Sequence, residues 1–252
     1  MSVYDVLTDI QDNNPDKSVC YGITVGVVTN IDDPDKQGKV KVRLLNRDTS
    51  KDETGFIRVA TPMSGKKWGM FFSPEVGDEV LVAFSNGDIS RPYVLGSLWN
   101  KDYVPPTEIK DSKNDIRMIK TRSGHQIIFD DTDGKEKINI NTPKGFKIIM
   151  DDEKEAITIS DSGGGNIVKI DAKNGKITIK ADKKIEISSG NSKLELDGQG
   201  NKATLESAQS LRIKSQQVVI EADNTLDLKS SNMLNVNANG PANLKGAVVK
   251  LN

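Results

Sequence analysis

Short runs of aliphatic residues recur along the second half of the chain, separated by Asn, Asp, Gly, Ser and Lys. Each run alternates between apolar and polar side chains, the pattern of a half-buried β-strand. The spacing is roughly eight to ten residues, enough for one short strand and one corner. The pattern therefore predicts a rod of repeated strands, with units at residues 138–140, 146–150, 157–159, 167–170, 177–179, 185–187, 194–196, 211–213, 218–220, 226–228, 234–236 and 248–251.

The predicted rod has too little apolar surface to be stable as one chain. Each unit offers about two inward aliphatic side chains, and after Phe129 the only aromatic residue is Phe146. Burial contributes about 25 cal/mol per Å² of apolar surface, whereas ordering one residue costs about 1–2 kcal/mol. Three chains around one axis would turn the far side of each strand into an interface and close the sheet edges between chains. The sequence therefore favours an intertwined triple-stranded β-helix, a homotrimer, over a single-chain β-helix, which stays open as the alternative.

The inward positions of this trimer core follow from the alternation within each unit, although a slip of one residue would invert every face. The predicted core comprises Ile177, Ile179, Ile185, Ile187, Leu194, Leu196, Leu226, Leu228, Leu234 and Val236. The predicted tip of the rod comprises Val249, Leu251 and Asn252.

The first half has the pattern of short strands with turn signals between them. Residues 39–44 alternate between basic and aliphatic side chains, and residues 79–84 form a second strand with an apolar face. Asn86-Gly87 is a tight hairpin signal, because both residues tolerate positive φ. With further strands at 21–29, 56–60 and 93–98, the content is that of a small Greek-key barrel such as the OB-fold.

Composition divides the all-β chain into domains. Both tryptophans, all four tyrosines and five of the six phenylalanines lie at or before Phe129, and large aromatic side chains suit a compact core. Pro105-Pro106, among charged residues, indicates a linker. The helical spacing of Val3, Val6, Leu7 and Ile10 predicts a short amphipathic helix. The predicted domains are an N-terminal segment at 1–19, the OB-fold barrel at 20–100, a linker at 101–120 and the β-helix at 121–252.

Charge and composition exclude several classes of function. With 35 basic and 36 acidic residues the formal net charge is −1, which argues against a dedicated nucleic-acid surface. Cys20 is the single cysteine, so no disulfide framework and no zinc cluster is expected. The N-terminus lacks the basic start and apolar run of a signal peptide, and no window is apolar enough for a membrane helix. The chain is therefore expected to be made in the cytoplasm.

Several ordered motifs resemble the phage baseplate assembly protein V family and the spike part of type VI secretion valine-glycine repeat proteins. Together these motifs are far more specific than any one of them. They are GITVGVV at 22–28, GKVKV at 38–42, PEVGDEVLV at 74–82, RPYVLGSLWN at 91–100 and TRSGHQIIFDD at 121–131.

The resemblance implies the central spike of a contractile injection machine, such as a phage tail or a tailocin. It implies that the barrel docks on a trimeric hub, expected here as a separate chain, and that the β-helix meets the target envelope transiently. It also implies assembly into a virion or extracellular particle baseplate, with a small PAAR-like protein covering the tip. Candidate residues for hub docking or for the barrel core are Trp68, Phe71, Phe72, Arg91 and Trp99.

The same resemblance carries two expectations that this sequence does not meet. Some members hold a lysozyme domain between barrel and helix, but the stretch from Trp99 to Thr121 is too short for one. Some phage spikes bind iron through paired histidines near the tip, whereas His125 is the single histidine and lies near the start of the rod. No enzyme activity, metal or cofactor is therefore expected, and the acidic clusters at 130–134 and 151–153 fit turns better than a calcium loop.

Two other functions compete with the spike. An OB-fold that binds nucleic acid, with a structural tail, would use Trp68, Phe71 and Phe72 as stacking platforms. A cell-wall hydrolase would need a cleft with paired carboxylates, which a narrow aliphatic rod does not offer. A structural spike is the leading hypothesis, and nucleic acid is not among the expected partners.

Overall fold

The computed structural model describes residues 20, 22–45 and 53–250, and these residues are all-β without an α-helix. The predicted N-terminal helix and the tip residues Leu251 and Asn252 lie outside the described residues. The described part divides into two compact units, one formed by residues up to Gly164 with Val168–Thr178, the other by Gly165–Ile167 and the residues from Ile179 onward. The all-β fold class is confirmed.

Seventeen strands form among the described residues. In chain order they are β1 Ile23–Asn30, β2 Lys41–Leu44, β3 Arg58–Val59, β4 Ser64–Gly65, β5 Trp68–Gly69, β6 Glu79–Phe84, β7 Pro92–Ser97, β8 Ile116–Lys120, β9 Gln126–Asp130, β10 Lys137–Asn141, β11 Lys147–Asp151, β12 Ala156–Ser160, β13 Ile167–Asp171, β14 Lys176–Lys180, β15 Lys184–Ser189, β16 Ser192–Asp197 and β17 Lys202–Glu206.

The first sheet is a small barrel with the strand order β2-β1-β6-β7-β3. The backbone N–H and C=O groups of Val40 and Ile57, which precede β2 and β3, exchange hydrogen bonds of 3.0 and 2.8 Å and so join the two edges. Register shifts in β1 and β6 bend the strands. The enclosed core is aliphatic, which confirms the OB-type domain, and it comprises Val28, Val40, Val42, Ile57, Val80, Val82 and Val94.

The turn between β6 and β7 has the conformation that Asn86-Gly87 predicts. A single 3-10 turn, Ser85–Gly87, joins the strands, and φ is +54° at Asn86 and +79° at Gly87. The amide of Asp88 donates a 3.0 Å hydrogen bond to the carbonyl of Ser85. The left-handed conformation is inexpensive for these two residue types, so β6 and β7 pair in the register that encloses Val82 and Val94.

Strands β8 to β14 form one seven-stranded sheet in which each strand neighbours the next along the chain. From β8 to β12 neighbouring strands pair antiparallel and without register shifts, for example with Ile138 opposite Met150 and Ile140 opposite Ile148. The sheet starts inside the stretch expected as a linker at 101–120, because β8 pairs with β9 over five residues. The alternation of Ile116–Lys120 covers only five residues among charged neighbours, so the sequence alone does not predict this strand.

Strands β15, β16 and β17 form a separate antiparallel sheet, with Ile185 opposite Leu196 and Ile187 opposite Leu194. From residue 207 to residue 250 the structure contains no strand. The strands expected near residues 212, 219, 227, 235 and 249 therefore do not form within one chain. A strand needs a partner for its N–H and C=O groups, and the described residues supply none for this segment.

Candidate interaction surfaces

One face of the seven-stranded sheet is a continuous apolar surface. Residues directly opposite in an antiparallel pair point to the same side, so the registers from β8 to β12 place one apolar side chain of β8 and two of each following strand on one face. Most of them are exposed, from 36% at Ile138 to 48% at Ile159, whereas Ile148 is half-buried. Within the described residues nothing covers this face, whose members include Ile119, Ile127, Phe129, Ile138, Ile140, Met150, Ile157 and Ile159.

The opposite face of the same sheet is mixed: the registers place Ile116, Met118, Ile128, Ile149 and Ala156 there beside ion pairs. Lys137 Nζ lies 3.4 Å from a carboxylate oxygen of Asp130, on the neighbouring strand, and Lys169 Nζ lies 2.9 Å from Asp171. Hydrogen bonds from Lys169 and from the side chain and backbone of Asn174 lower the pKa of Asp171 to about 2. This mixed face is the less exposed of the two: the side chains of Asp130 and Asp171 are 15% and 16% exposed, and Ala156 is buried.

The acidic clusters act as turn caps, as the sequence indicated. Asp130 accepts hydrogen bonds from the backbone (3.2 Å) and hydroxyl (2.6 Å) of Thr132. Asp151 accepts bonds from the backbone (2.9 Å) and ammonium (2.7 Å) of Lys154. The Thr132 hydroxyl lowers the pKa of Asp130, and the Lys154 ammonium lowers that of Asp151. These hydrogen bonds stabilise the hairpin turns when the carboxylates of Asp130 and Asp151 are ionised.

The second sheet has one apolar face and one charged face. Ile185, Ile187, Leu194, Leu196 and Leu205 share one face by register. On the other face Glu186 is directly opposite Glu195, and the two like charges are bridged by Lys193, while Lys184 Nζ contacts Glu195 at 3.0 Å. Lys193 and then Lys184 lower the pKa of Glu195. The lysines therefore stabilise a pairing that would otherwise be repulsive.

The predicted trimer-core residues fall into two groups. Six of them lie on strands, in the alternation that the sequence indicated: Ile177, Ile179, Ile185, Ile187, Leu194 and Leu196. The other four, Leu226, Leu228, Leu234 and Val236, lie in the segment without strands and are exposed. Val249 of the predicted tip is exposed as well. The structure brings the first group onto apolar sheet faces and leaves the second group unpartnered.

The barrel carries an exposed cluster of large apolar side chains, which we call the hairpin cluster: Met63, Trp68, Met70, Phe71 and Phe72. Phe71 is 83% exposed, so Trp68, Phe71 and Phe72 are not part of the barrel core, which consists of smaller aliphatic residues instead. Met63 and Met70 were not expected from the sequence. Two methionines and three aromatic residues within ten positions were the available signal.

Strands β4 and β5 form the hairpin that presents this cluster. Gly65 is opposite Trp68, and a Cβ at Gly65 would lie 2.2 Å from the indole ring, so the ring rests directly on the glycine backbone. The Met70 amide donates a 2.9 Å hydrogen bond to the Met63 carbonyl, and the hydroxyl of Thr61 donates to the carbonyl of Met70 at 2.7 Å. The hairpin is thus fixed by its backbone while its side chains face outward.

A groove of about 500 Å³ runs beside the hairpin cluster, against Gly38 and Arg58. The turn containing Gly38 is held by Asp33, whose carboxylate accepts backbone hydrogen bonds from Asp35 (3.1 Å), Gln37 (2.7 Å) and Lys39 (3.2 Å). Burial raises the pKa of Asp33, but these three N–H groups outweigh it, and the net pKa is lowered. A shaped, partly apolar groove of this kind suits a protein partner.

Arg91 and Trp99 lie elsewhere on the barrel. Arg91 Nε donates a 2.8 Å hydrogen bond to Asp88 in the β6–β7 turn, and Trp99 is exposed after β7. Neither lines the groove beside the hairpin cluster. Arg58, which does, stacks on the Tyr93 ring at 4.7 Å and donates to its hydroxyl at 2.7 Å. The sequence analysis placed Arg91 and Trp99 in one candidate set with the aromatic residues of the hairpin cluster, whereas the structure separates them.

The described residues offer no grouping of three or more His, Cys, Asp or Glu side chains that could hold a metal ion. His125 lies in the β8–β9 turn, where its amide donates to the Thr121 hydroxyl at 3.1 Å. Cys20 donates its backbone N–H to the Gly87 carbonyl at 2.7 Å. Among the helices of the described part, none has the length and apolar character needed to span a membrane.

Residues 24–99 match the sequence family described as the type VI secretion system/phage-baseplate injector OB domain. The barrel is an injector OB domain. This match confirms the resemblance to baseplate and spike proteins that the motifs indicated, and it covers the barrel strands from β1 to β7.

About half of the chain is also similar to curated spike proteins. Type VI secretion system spike protein VgrG1b of Pseudomonas aeruginosa is 28% identical over 131 residues, 48% of this chain and 18% of that protein. VgrG3 of Vibrio cholerae is 30% identical over 131 residues, 49% of this chain and 13% of that protein. VgrG2a of Pseudomonas aeruginosa is 37% identical over 106 residues, which are 39% of this chain and 12% of that protein. The chain spans less than a fifth of the length of each relative.

Proposed function

We propose that this protein is a structural central spike of a contractile injection machine, such as a phage tail, a tailocin or a related particle. The observation that carries the proposal is an injector OB domain in the same chain as sheets with an exposed, continuous aliphatic face. An apolar surface of this extent in water needs a covering partner. A rod of hydrogen-bonded strands that covers it by self-association would resist bending, which is what a spike requires.

The partner that we propose for the apolar faces is two further copies of the chain. The three copies carry identical apolar faces, so three faces turned toward one axis would bury like against like. Light scattering after gel filtration should give three times the chain mass of 27.5 kDa. The trimer should also resist SDS until it is boiled. A monomer at micromolar concentration would contradict the spike.

We propose that the barrel docks on a separate trimeric hub through the hairpin cluster. Exposed Trp, Phe and Met side chains around a groove are the residues that anchor protein interfaces. Trp68→Ala combined with Phe71→Ala should weaken co-purification with the hub protein of the same particle at least tenfold. Trp99→Ala, which removes an equally exposed indole outside the groove, is the matched control and should leave hub binding unchanged.

Equal loss of hub binding in the Trp99→Ala control and in the double variant would show that the hairpin cluster is not the docking surface. Gel-filtration mass and thermal melting of each variant establish that the trimer persists. Because Trp68 and Phe71 contribute no buried core surface, melting should change little.

At the far end of the rod we propose a small PAAR-like tip protein, which covers strand ends that would otherwise pair with other chains. The complex would be built into the baseplate of a virion or extracellular particle and meet the target envelope when the sheath contracts. Particles whose spike stops at residue 206 should still carry the barrel on the hub but lose the tip protein, as measured by mass spectrometry of purified particles. Retention of the tip protein would contradict this arrangement.

A second candidate function is single-stranded nucleic-acid binding by the OB domain. The observation that favours it is that Trp68 and Phe71 line the groove together with Arg58 and Lys67, aromatic and basic side chains of the kind that stack and neutralise nucleotides. Titration with single-stranded DNA at low salt distinguishes the two. Submicromolar affinity that weakens with added salt would reverse the ranking.

We propose a structural rather than an enzymatic role. Purified protein should leave a peptidoglycan suspension unclarified under conditions in which lysozyme clears it. Clearing that survives repurification of the trimer would require a hydrolytic site.

A further inference from the structure

Three grooves on the barrel share one wall, the turn formed by residues 37–39. The groove beside the hairpin cluster is lined by Gln37, Gly38 and Arg58. A second groove, of about 470 Å³, is lined by Gln37, Lys39 and again Arg58. A third, of about 510 Å³, is lined by Gly38 and Lys39 and reaches the end of β8. Because neighbouring grooves share residues, the three form one continuous surface.

The charge of this surface is strongly one-sided. Among the described residues, six cationic side chains line the three grooves, against the single carboxylate of Glu75. The whole chain has 35 basic and 36 acidic residues, so the excess of positive charge is local to this surface. The six cations are Lys39, Arg58, Lys67, Arg91, Lys120 and Arg122.

Half of these cations already have a carboxylate partner. The other three, Arg58, Lys67 and Lys120, form no ion pair with a carboxylate that the structure describes. They are therefore the charges that a ligand can still neutralise. The existing pairs are Lys39 with Asp35 (2.9 Å), Arg91 with Asp88 (2.8 Å) and Arg122 with Glu75 (2.9 Å).

Arg58 is the unpaired cation whose orientation is fixed. It is exposed on β3, beside Tyr93 of β7 in the parallel register. Its guanidinium carbon lies 4.7 Å from the centre of the Tyr93 ring, and Nη2 donates a 2.7 Å hydrogen bond to the Tyr93 hydroxyl. A guanidinium has five N–H donors in a planar fork that matches a carboxylate, and the Tyr93 hydroxyl occupies one of them. The remaining donors are available to an anionic group.

Apolar side chains surround this guanidinium. Trp68, Met70 and Phe71 line the first groove, and Phe56 and Tyr93 line the second. Arg58 lines both grooves, so a carboxylate that binds it is bordered by apolar surface in each. When such side chains exclude water, they strengthen an ion pair between them. The ligand that fits combines a carboxylate with neighbouring apolar side chains.

We propose that Arg58 binds a carboxylate of the hub protein, on an acidic segment that also places apolar side chains against the hairpin cluster. This inference rests on the hub docking proposed above and adds the chemistry of the partner's surface. Lys67 and Lys120, exposed at the first and third grooves, attract the acidic segment as it approaches. Arg58 forms the ion pair of the docked complex.

A nucleic acid fits the same surface less well. A phosphate backbone needs a row of unpaired cations along its path. Here three of the six cations already neutralise Asp35, Asp88 and Glu75, and these carboxylates would lie close to the phosphates. One oriented guanidinium between apolar walls suits a single carboxylate, which is why a protein segment is the occupant.

The test replaces Arg58 by Gln, which removes the charge and keeps a polar side chain. The dissociation constant of the hub protein from the immobilised spike, measured by biolayer interferometry, should rise about thirtyfold, mainly through faster dissociation. Arg58→Lys keeps the charge but not the fork and should weaken binding less. Tyr93→Phe removes only the orienting hydroxyl and should weaken it least. Arg43→Gln, at an exposed arginine of β2 outside the three grooves, is the matched control and should bind as the unsubstituted protein does.

Lys67→Gln should act on the association rate instead. Exposed charges around an interface accelerate encounter, and salt screens them. Association should slow a few-fold at about 0.05 M salt and hardly at all at about 0.5 M, where the Debye length is short. A change confined to the dissociation rate would contradict the role of Lys67 in steering.

The partner's carboxylate can be located by exchanging charges. Arg58→Glu should abolish binding, and hub variants in which one Asp or Glu is replaced by Lys should be tested against it in turn. One of these hub variants should restore affinity for Arg58→Glu at least tenfold, because the ion pair is then reversed rather than lost. If none restores it, Arg58 does not bind a hub carboxylate.

The outcomes separate this inference from hub docking itself. Unchanged hub affinity with Arg58→Gln, beside the loss expected for Trp68→Ala with Phe71→Ala, would refute the carboxylate site and leave docking intact. Unchanged affinity in both would refute the docking surface. If Arg58→Gln instead abolished binding of a single-stranded DNA oligonucleotide and spared the hub, the surface would be a nucleic-acid site and the inference would be overturned. Since Arg58 is exposed, thermal melting of the variants should be unchanged.

Discussion

The barrel and the rod solve the same physical problem in opposite ways. In the barrel, five strands curl until their edges meet, and Val40, Val42, Val80, Val82 and Val94 are 0% exposed. In the rod, sheets of similar strands leave one row of aliphatic side chains exposed and others, such as Ile128 and Ile149, half-buried, and Ala156 is the one buried hydrophobic residue described after the barrel. A sheet with one apolar face must either close on itself or find another face.

The difference comes from turns and bulges more than from hydrophobic content. Strands of six to eight residues with register shifts can bend around a core, as β1 and β6 do. Strands of five residues in unbroken register, as from β8 to β12, make a narrow ribbon whose apolar face is too slim to enclose itself. We therefore expect the barrel to be stabilised by contacts within one chain and the rod by contacts between chains. The following variants test that division.

The largest effect is expected from a charge on the apolar face of the rod. Ile187→Asp would bring three carboxylates close to one axis without partners, and the trimer should be lost at micromolar concentration. Ser188→Asp, the same charge on the next residue and the opposite face, is the control and should leave the trimer intact. Light scattering measures the molecular mass of both variants. A normal trimer with Ile187→Asp would show that this face does not point inward.

Smaller effects are expected from shortening one aliphatic side chain in each region. The two effects should differ in their dependence on protein concentration. Val82→Ala should destabilise the barrel by about 2 kcal/mol, independently of protein concentration. Val168→Ala, at an exposed aliphatic position of the rod, should lower the melting temperature only where the trimer forms, with a shift that depends on protein concentration. Melting followed by circular dichroism at several concentrations separates the two. A concentration-independent loss for Val168→Ala would contradict the division.

The hairpins of the rod should be sensitive where glycine is required. Gly145 has φ +86°, and an added Cβ would lie 2.7 Å from Ser162 Cβ, so Gly145→Ala should cost about 1–2 kcal/mol. Gly163 has open space and no positive φ. Gly163→Ala should therefore be neutral or slightly stabilising in the same thermal melts. Equal effects for the two variants would show that the turn conformation at Gly145 is not required.

The smallest effect is a pH dependence of the rod. The pKa of Asp171 is about 2 in the fold against an ordinary value near 3.8, so the charged form is the stabilised one. Its contribution is complete above about pH 4 and is lost as the pH falls toward 2. Asp171→Asn should reduce the fall in melting temperature between pH 4 and pH 2, with Asp133→Asn, an exposed carboxylate in the β9–β10 turn, as a comparison substitution. An unchanged acid profile would show that the Lys169 and Asn174 contacts do not matter to stability.

Local sequence was sufficient for the elements whose partners are close along the chain. Asn86-Gly87 predicted its turn, the alternation of residues 79–84 predicted β6, and the rod units up to 196 all correspond to strands. The motifs at 22–28 and 74–82 predicted the family that the comparison then confirmed for residues 24–99. In each case the physical determinant, a period of two or a left-handed turn, lies within about ten residues.

The sequence by itself determined an all-β chain, a barrel followed by a strand repeat, and which side chains alternate. Only the tertiary structure decided that Trp68, Phe71 and Phe72 stand outside the barrel core, and that rod strands pair within the chain up to β17 and not beyond. The reason is that alternation fixes which residues share a face, whereas the strand that meets that face, and its chain of origin, depends on closure, register and distance in space.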